Sequence, residues 1–290
     1  MSRLIAVGVR DAEASRAALV WAATEAAGDG SELHVLHCYE LLALDGSSWA
    51  PVVQANDALR AGARHIVNES EHVARSSAPG VEISGSAVRG AVGAALTDLS
   101  RLVDLVVVGE SARNPLRDQL AATVRCPLVV VPDTDVSADD PIVVAVDRHD
   151  LPLDALHFAL RTARRWGAQL VVAASDGLPT SGAEAVADVH ARLDMQLESV
   201  TCEYPDVPVE VTLHSTDFAT VVRTAAIGAR LLVLPCRQGA PDRPFLCGSA
   251  WPLAAPVAIV PVRRRATSTA ATIGPFNLEE AAVSSISGPR

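Results

Sequence analysis

The sequence predicts an α/β protein made of two tandem copies of one domain, each a five-stranded parallel sheet flanked by helices. Three observations predict it. The first is internal repetition: Leu4-Ile5-Ala6-Val7-Gly8-Val9-Arg10-Asp11 returns as Pro141-Ile142-Val143-Val144-Ala145-Val146-Asp147-Arg148 at an offset of 137 residues. At the same offset Ala18-Leu19-Val20-Trp21-Ala22 falls on Ala155-Leu156-His157-Phe158-Ala159, and Leu33 falls on Leu170. The second is alternation of short apolar runs with helical patterns, an order that forces parallel strands joined by right-handed crossovers. The third is composition: 49% of residues are hydrophobic but only 3% aromatic, which suits small-residue helices packed on Val-rich buried strands. A chain of 290 residues is long enough to give each copy its own core.

In the first copy, runs at 4–9, 32–38, 81–86, 104–108 and 127–131 are rich in Val, Ile and Leu and too short for helices, so they read as buried strands. Residues 12–27 predict a helix with Ala14, Ala17, Ala18, Trp21 and Ala22 on one face; residues 54–77 are amphipathic, and Gly90 opens a third helix carrying Val92, Ala95, Leu96 and Leu99. The second copy repeats the pattern with strands near 141–147, 170–174, 208–214, 230–234 and 257–261. Residues 132–140 are polar and turn-rich and serve as the linker, giving domains at 1–133 and 141–262. From Arg263-Arg264-Arg265 onward the composition cannot bury enough apolar area to order itself, so residues 263–290 are expected to form a flexible tail. Within it Ile273, Phe276 and Leu278 are candidate anchors on a neighbour, and Arg265-Ala266-Thr267 loosely resembles a basophilic kinase target at Thr267.

A formal charge of −10 and a pI near 5.2 oppose attraction to nucleic acid or an anionic membrane. Five cysteines without a C-x-x-C pair suggest neither a disulfide framework nor a zinc ribbon. No stretch approaches the roughly 18–20 apolar residues needed to span a bilayer, and the apolar run after Met1 is too short for a secretion signal. The expectation is a soluble cytoplasmic protein.

In an open parallel sheet, ligands sit beyond the carboxyl ends of the strands where strand order reverses. The tips to search are Arg10 and Gly109 in the first copy, and Asp147 and Pro235 in the second. At these positions the chain resembles the universal stress protein family. The first copy carries the resemblance in Ser15-Arg16-Ala17-Ala18-Leu19-Val20-Trp21-Ala22, Asp104-Leu105-Val106-Val107-Val108-Gly109 and Cys126-Pro127-Leu128-Val129-Val130-Val131. The second carries it in Val144-Ala145-Val146-Asp147, Leu231-Leu232-Val233-Leu234 and Pro256-Val257-Ala258-Ile259-Val260. The resemblance covers about residues 1–262 and implies a Rossmann-like sheet of order 3-2-1-4-5 in each copy, ATP binding in some members, dimerisation and a regulatory role in stress survival.

Members that bind nucleotide cradle its phosphates on a Gly-x2-Gly-x9-Gly-Ser loop, where small residues let backbone N–H groups approach. In the first copy only Gly109 matches that pattern. Arg10 stands in place of the strand-end Asp, Ala112 in place of the second glycine, and Ala122-Thr123 in place of Gly-Ser. Residues 110–125 also have room for a crossover helix alone, and Arg10 is expected to pair with a carboxylate such as Asp11 or Asp104. In the second copy Asp147 holds the nucleoside-contacting position and Gly248-Ser249 sits thirteen residues after Pro235, in phase with the motif. Pro235 and Gln238 replace the first two glycines. The candidate ligand-binding residues are therefore Asp147, Gly248, Ser249 and Gly109, with ATP or a related nucleotide as the cofactor.

Other clusters read as structure. Alternation puts His34 and Cys38 on one face of a strand and His37 on the other, so the three cannot share a metal. Gly85-Ser86-Ala87-Val88-Arg89-Gly90-Ala91-Val92-Gly93 reads as close helix packing, Trp21 and Phe158 as packing residues at equivalent positions, and Cys247 as a thiol with no histidine nearby in sequence. No catalytic acid, base, nucleophile or metal cluster emerges, so a non-enzymatic stress-response regulator is expected. The two copies would pack as an intrachain pseudo-dimer through their last strands, with a homodimer of chains left open. The alternative is a nucleotide-independent module that recognises an unidentified protein partner through its altered loops and tail.

Overall fold

The structure, a computed structural model, describes residues 3–42, 49–110, 115–134, 137–147, 152–175, 195, 197–237 and 254–262. By its contacts the chain divides into two compact units, one running up to Val108 and the other spanning Gly109–Val262. The first unit carries β1 (Leu4–Val9), α1 (Arg16–Asp29), β2 (Glu32–Tyr39), α2 (Trp49–Ser77), β3 (Ile83–Arg89), α3 (Val92–Leu99) and most of β4 (Leu105–Gly109). Its strands run in the order β3-β2-β1-β4, and all are parallel.

The second unit carries α4 (Pro115–Thr123), β5 (Leu128–Val131), β6 (Ile142–Asp147), α5 (Leu153–Trp166), β7 (Leu170–Ser175), β8 (Val209–His214), α6 (Phe218–Ala225), β9 (Leu231–Arg237) and β10 (Val257–Val262). Its sheet reads β5-β10-β9-β6-β7-β8. Taken from β8, the strands of the second copy follow the order 3-2-1-4-5 and are mutually parallel.

Among the described residues of this unit, one antiparallel pair joins the last strands of the two copies, with Val130 opposite Val257, Val129 opposite Ala258 and Leu128 opposite Ile259. This register is symmetric, since Leu128 and Val257 hold equivalent places in their repeats, as do Val130 and Ile259. Leu128, Val129, Val257 and Ala258 are fully buried, so the seam is core rather than surface. It also explains why the compact units divide ahead of the 132–140 linker: β5 packs with the second copy's last strand.

Strand edges agree with the sequence reading to within a few residues, but α1 differs. It starts at Arg16 rather than residue 12, because Asp11 Oδ1 accepts the Ala14 N–H at 2.7 Å and Ser15 Oγ accepts the Arg10 N–H at 3.0 Å, which holds the preceding residues in a turn. Its buried residues include Ala18, Leu19, Ala22, Ala23 and Ala26. Alanine stripes at i and i+4 let α1 lie close to the sheet, and the bulkier Trp21 rides at the flank instead of on the core face. Phe158, at the equivalent place in α5, is buried. Gly30 and Gly167 end α1 and α5 in left-handed conformation, with φ of 70° and 62°.

At the amino ends of the second copy's strands, Arg230 lies 4.3 Å over the Trp166 ring and donates to the Ala138 carbonyl at 2.9 Å, which ties the linker to this copy. Among the described residues no helix is long and apolar enough to cross a membrane.

Candidate functional site

The second copy's switch point lies between β6 and β9. Asp147 is the last residue of β6 and is exposed. Across the ladder it faces Ser175, the last residue of β7, which is buried and donates its hydroxyl to the Thr216 carbonyl at 2.6 Å. Just beyond, Asp217 caps α6 by accepting the Thr220 N–H at 3.0 Å. The carboxyl ends of β6, β7 and β8 thus present a carboxylate beside a fixed hydroxyl and a capped helix.

Pro235 is not the tip of β9, as the sequence reading had it; the strand continues to Arg237. The reason is directional. Leu232 N–H donates to the Pro256 carbonyl on the β10 side at 2.9 Å, so alternation turns Leu231, Val233 and Pro235 toward β6. A missing proline N–H therefore costs the β10 side nothing, and that pairing runs on to Val262 opposite Arg237. The β6 side ends earlier, at Val144 opposite Val233. Asp147, the last residue of β6, follows three residues after this last paired position.

Gly248 and Ser249, like Gln238 and Cys247, lie outside the described residues, as do Ala112 and the 263–290 segment with Thr267. The structure therefore places Asp147 and Gly109 among the predicted binding residues.

Gly109 closes β4, and the Glu110 N–H that follows donates to the Val131 carbonyl at 2.8 Å. Burial pushes the Glu110 carboxyl above its ordinary range; the Arg117 guanidinium opposes the shift and Asp133 adds to it. No sequence motif marks Glu110, because its environment comes from α4 and the linker. Ala122 and Thr123 belong to α4, where the Thr123 hydroxyl donates to the Gln119 carbonyl at 2.8 Å. The residues standing in for Gly-Ser are thus part of the crossover helix. Arg10 is exposed and pairs with Asp11 at 3.3 Å, whereas Asp104 accepts the Leu4 N–H at 3.0 Å. The Asp11 carboxyl is held below its ordinary range chiefly by the Ala14 amide.

The histidine and cysteine cluster is structural. His34 bridges the Ser84 hydroxyl through Nδ1 at 2.9 Å and the Ser86 hydroxyl through Nε2 at 2.8 Å, and His37 Nδ1 meets the Val9 carbonyl at 3.0 Å. Burial pushes the Cys38 thiol up to about 11, far from a thiolate nucleophile at neutral pH. Burial also lowers the His34 pKa below its ordinary 6.5, against the Glu71 carboxylate, which raises it. The folded protein therefore binds this proton less readily than the unfolded chain. The stability owed to neutral His34 is complete above pH 6.5 and falls as the pH drops through the interval down to the folded pKa. Urea midpoints between pH 7.5 and 5.5 should fall more steeply for the native chain than for His34→Gln; parallel profiles would contradict this.

A separate cleft of about 770 Å3 lies between the start of α1 and the middle of α2, lined by Asp11, Glu13, Arg16, His65, Asn68 and His72 among others. Among the described residues no three His, Cys, Asp or Glu side chains converge as a metal site.

A duplicated, doubly wound α/β sheet defines the class: a tandem Rossmann-like fold. The universal stress protein family profile matches residues 1–132 and again 140–254, and the chain belongs to that family in tandem form. A universal stress protein from Archaeoglobus fulgidus DSM 4304 is similar over 91% of this chain and 100% of its own, at 15% identity and a TM-score of 0.69. A functionally unknown protein from Pseudomonas aeruginosa PAO1 is similar over 90% of this chain and 93% of its own, at 17% identity and a TM-score of 0.54. A universal stress protein solved in complex with cAMP matches 44% of this chain and 96% of its own, at 22% identity and a TM-score of 0.36. No curated protein matches the chain.

Proposed function

We propose that this protein is a non-enzymatic, cytoplasmic stress-response regulator whose second copy binds a nucleotide or nucleoside at the β6–β9 switch point. The observation that carries the reading is the exposed Asp147 at the carboxyl end of β6, beside the topological switch point. Gly248 and Ser249, in phase with the family's loop, are the residues assigned to a phosphate. The first copy does not share the role: α4 occupies its crossover and Arg10 replaces the carboxylate.

That loss supports a second reading, in which the first copy acts by contacting a protein partner. The deciding experiment is to denature freshly purified full-length protein and identify the released small molecules by ion-exchange chromatography with mass detection, beside an ATP titration by calorimetry. About one nucleotide or nucleoside per chain supports the binding reading. An empty extract with no binding heat at millimolar ATP would shift the function to partner capture.

A further inference from the structure

The two halves of α2 live in different surroundings. From Ala63 onward the helix buries Ala63, Val67, Ser70 and Ala74, spaced by four and three residues along the face that packs on β2 and β3. Ahead of Ala63 that pattern stops. Residues 57–62 are all exposed, six in succession, so more than a full turn of helix meets solvent on every side. Its charges lie on one side: Asp57, Arg60 and Arg64, with Arg60 paired to Asp57 at 2.8 Å. The opposite side is an uncharged seam of Ala55, Leu59, Gly62 and Ile66, again spaced by four and three, and Leu59 is 39% exposed. Gly62 has no explanation within one chain. Glycine is poorly suited to a helix interior, its φ here is not positive, and a Cβ built on it would meet nothing within 4 Å. A second surface lying close against the backbone explains it.

We infer that this seam is an interface between two copies of the chain, their α2 helices packed antiparallel about a two-fold axis between residues 60 and 61. The seam is complementary to its own image. Leu59 then sits over the partner's Gly62 and Ile66 over the partner's Ala55, large on small, and each contact is made twice. A parallel pairing would set Leu59 against Leu59 and leave two glycines facing across a hole. The charges agree with the antiparallel choice. It brings Val52, in the first turn of α2, opposite the partner's exposed Glu69, which within its own helix pairs with His65 at 3.2 Å. That first turn has no acidic side chain of its own, so the carboxylate answers the positive end of the helix. One helix pair of about five turns is a small interface, so the dimer should form and dissociate in the micromolar range. The surface is separate from the β5–β10 seam, and the inference does not depend on any ligand.

The test is sedimentation equilibrium of the full-length protein from low to high micromolar concentration. The native chain should pass from monomer to dimer and stop there, because a two-fold contact closes on itself. Gly62→Leu fills the space that receives the partner and should weaken the dimer at least about tenfold, with helicity by circular dichroism equal or higher. A purely local role for Gly62 would leave the dimer constant unchanged. Leu59→Arg, at an exposed helical position, should weaken the dimer as much. Combining Leu59→Gly with Gly62→Leu exchanges large and small across the axis and should restore dimerisation. A native chain that stays monomeric, a dimer that neither single substitution weakens, or an exchanged pair that does not recover would each overturn the inference.

Discussion

Replacing Val129 by Asp will unfasten both strands of the β5–β10 pair. Val129 is fully buried and lies opposite Ala258, itself fully buried, so the new carboxylate has neither water nor a cation to receive it. Leaving a buried charge uncompensated costs about 3–5 kcal/mol, a large part of the stability of an ordinary domain. Hydrogen exchange is the discriminating measurement. Amides of residues 128–130 and 257–259 should lose protection together, because each strand supplies the other's edge. Wild-type protection of β10 beside a deprotected β5 would contradict the pairing.

The second large effect is at Gly85 in β3. A Cβ there would stand 2.5 Å from Val67 Cγ1, 2.6 Å from Glu71 Oε1 and 3.3 Å from the Val35 carbonyl. None of the three yields easily: Val67 is β-branched and buried, Glu71 is held by Arg75 at 2.8 Å, and Val35 is backbone within β2. Gly85→Ala must push α2 off the sheet and should destabilise by about 1–3 kcal/mol, with Gly85→Val worse. Urea unfolding should show a lower midpoint at unchanged slope. A variant as stable as the native chain would show that α2 can settle elsewhere.

Much of this architecture is legible in the residues. Val-, Ile- and Leu-rich runs mark the strands because strands buried on both faces need apolar side chains on both, and repetition at an offset of 137 residues marks the two copies. Helix faces were harder. Trp21 attracts assignment to the core by its size, yet the small residues beside it set how closely α1 approaches the sheet. Pro235 reads as a strand tip because the apolar run ends at Leu234; the strand runs on to Arg237 because its pairing with β10 does not need the proline N–H. Glu110 was hidden, its shifted carboxyl depending on Arg117 and Asp133 brought near by folding.

The antiparallel seam between β5 and β10 also bears on how this protein can vary. Where two identical chains meet along such an edge, every substitution is made twice, and both ligand sites change in step. Here the two sides of the seam are encoded separately within one polypeptide. One copy can carry Arg10 and the other Asp147 at equivalent strand ends, and one can keep Gly109 where the other has Pro235, without disturbing the edge that joins them. Fusion lifts an obligatory symmetry: each half can change its own strand ends while the shared edge stays as it is.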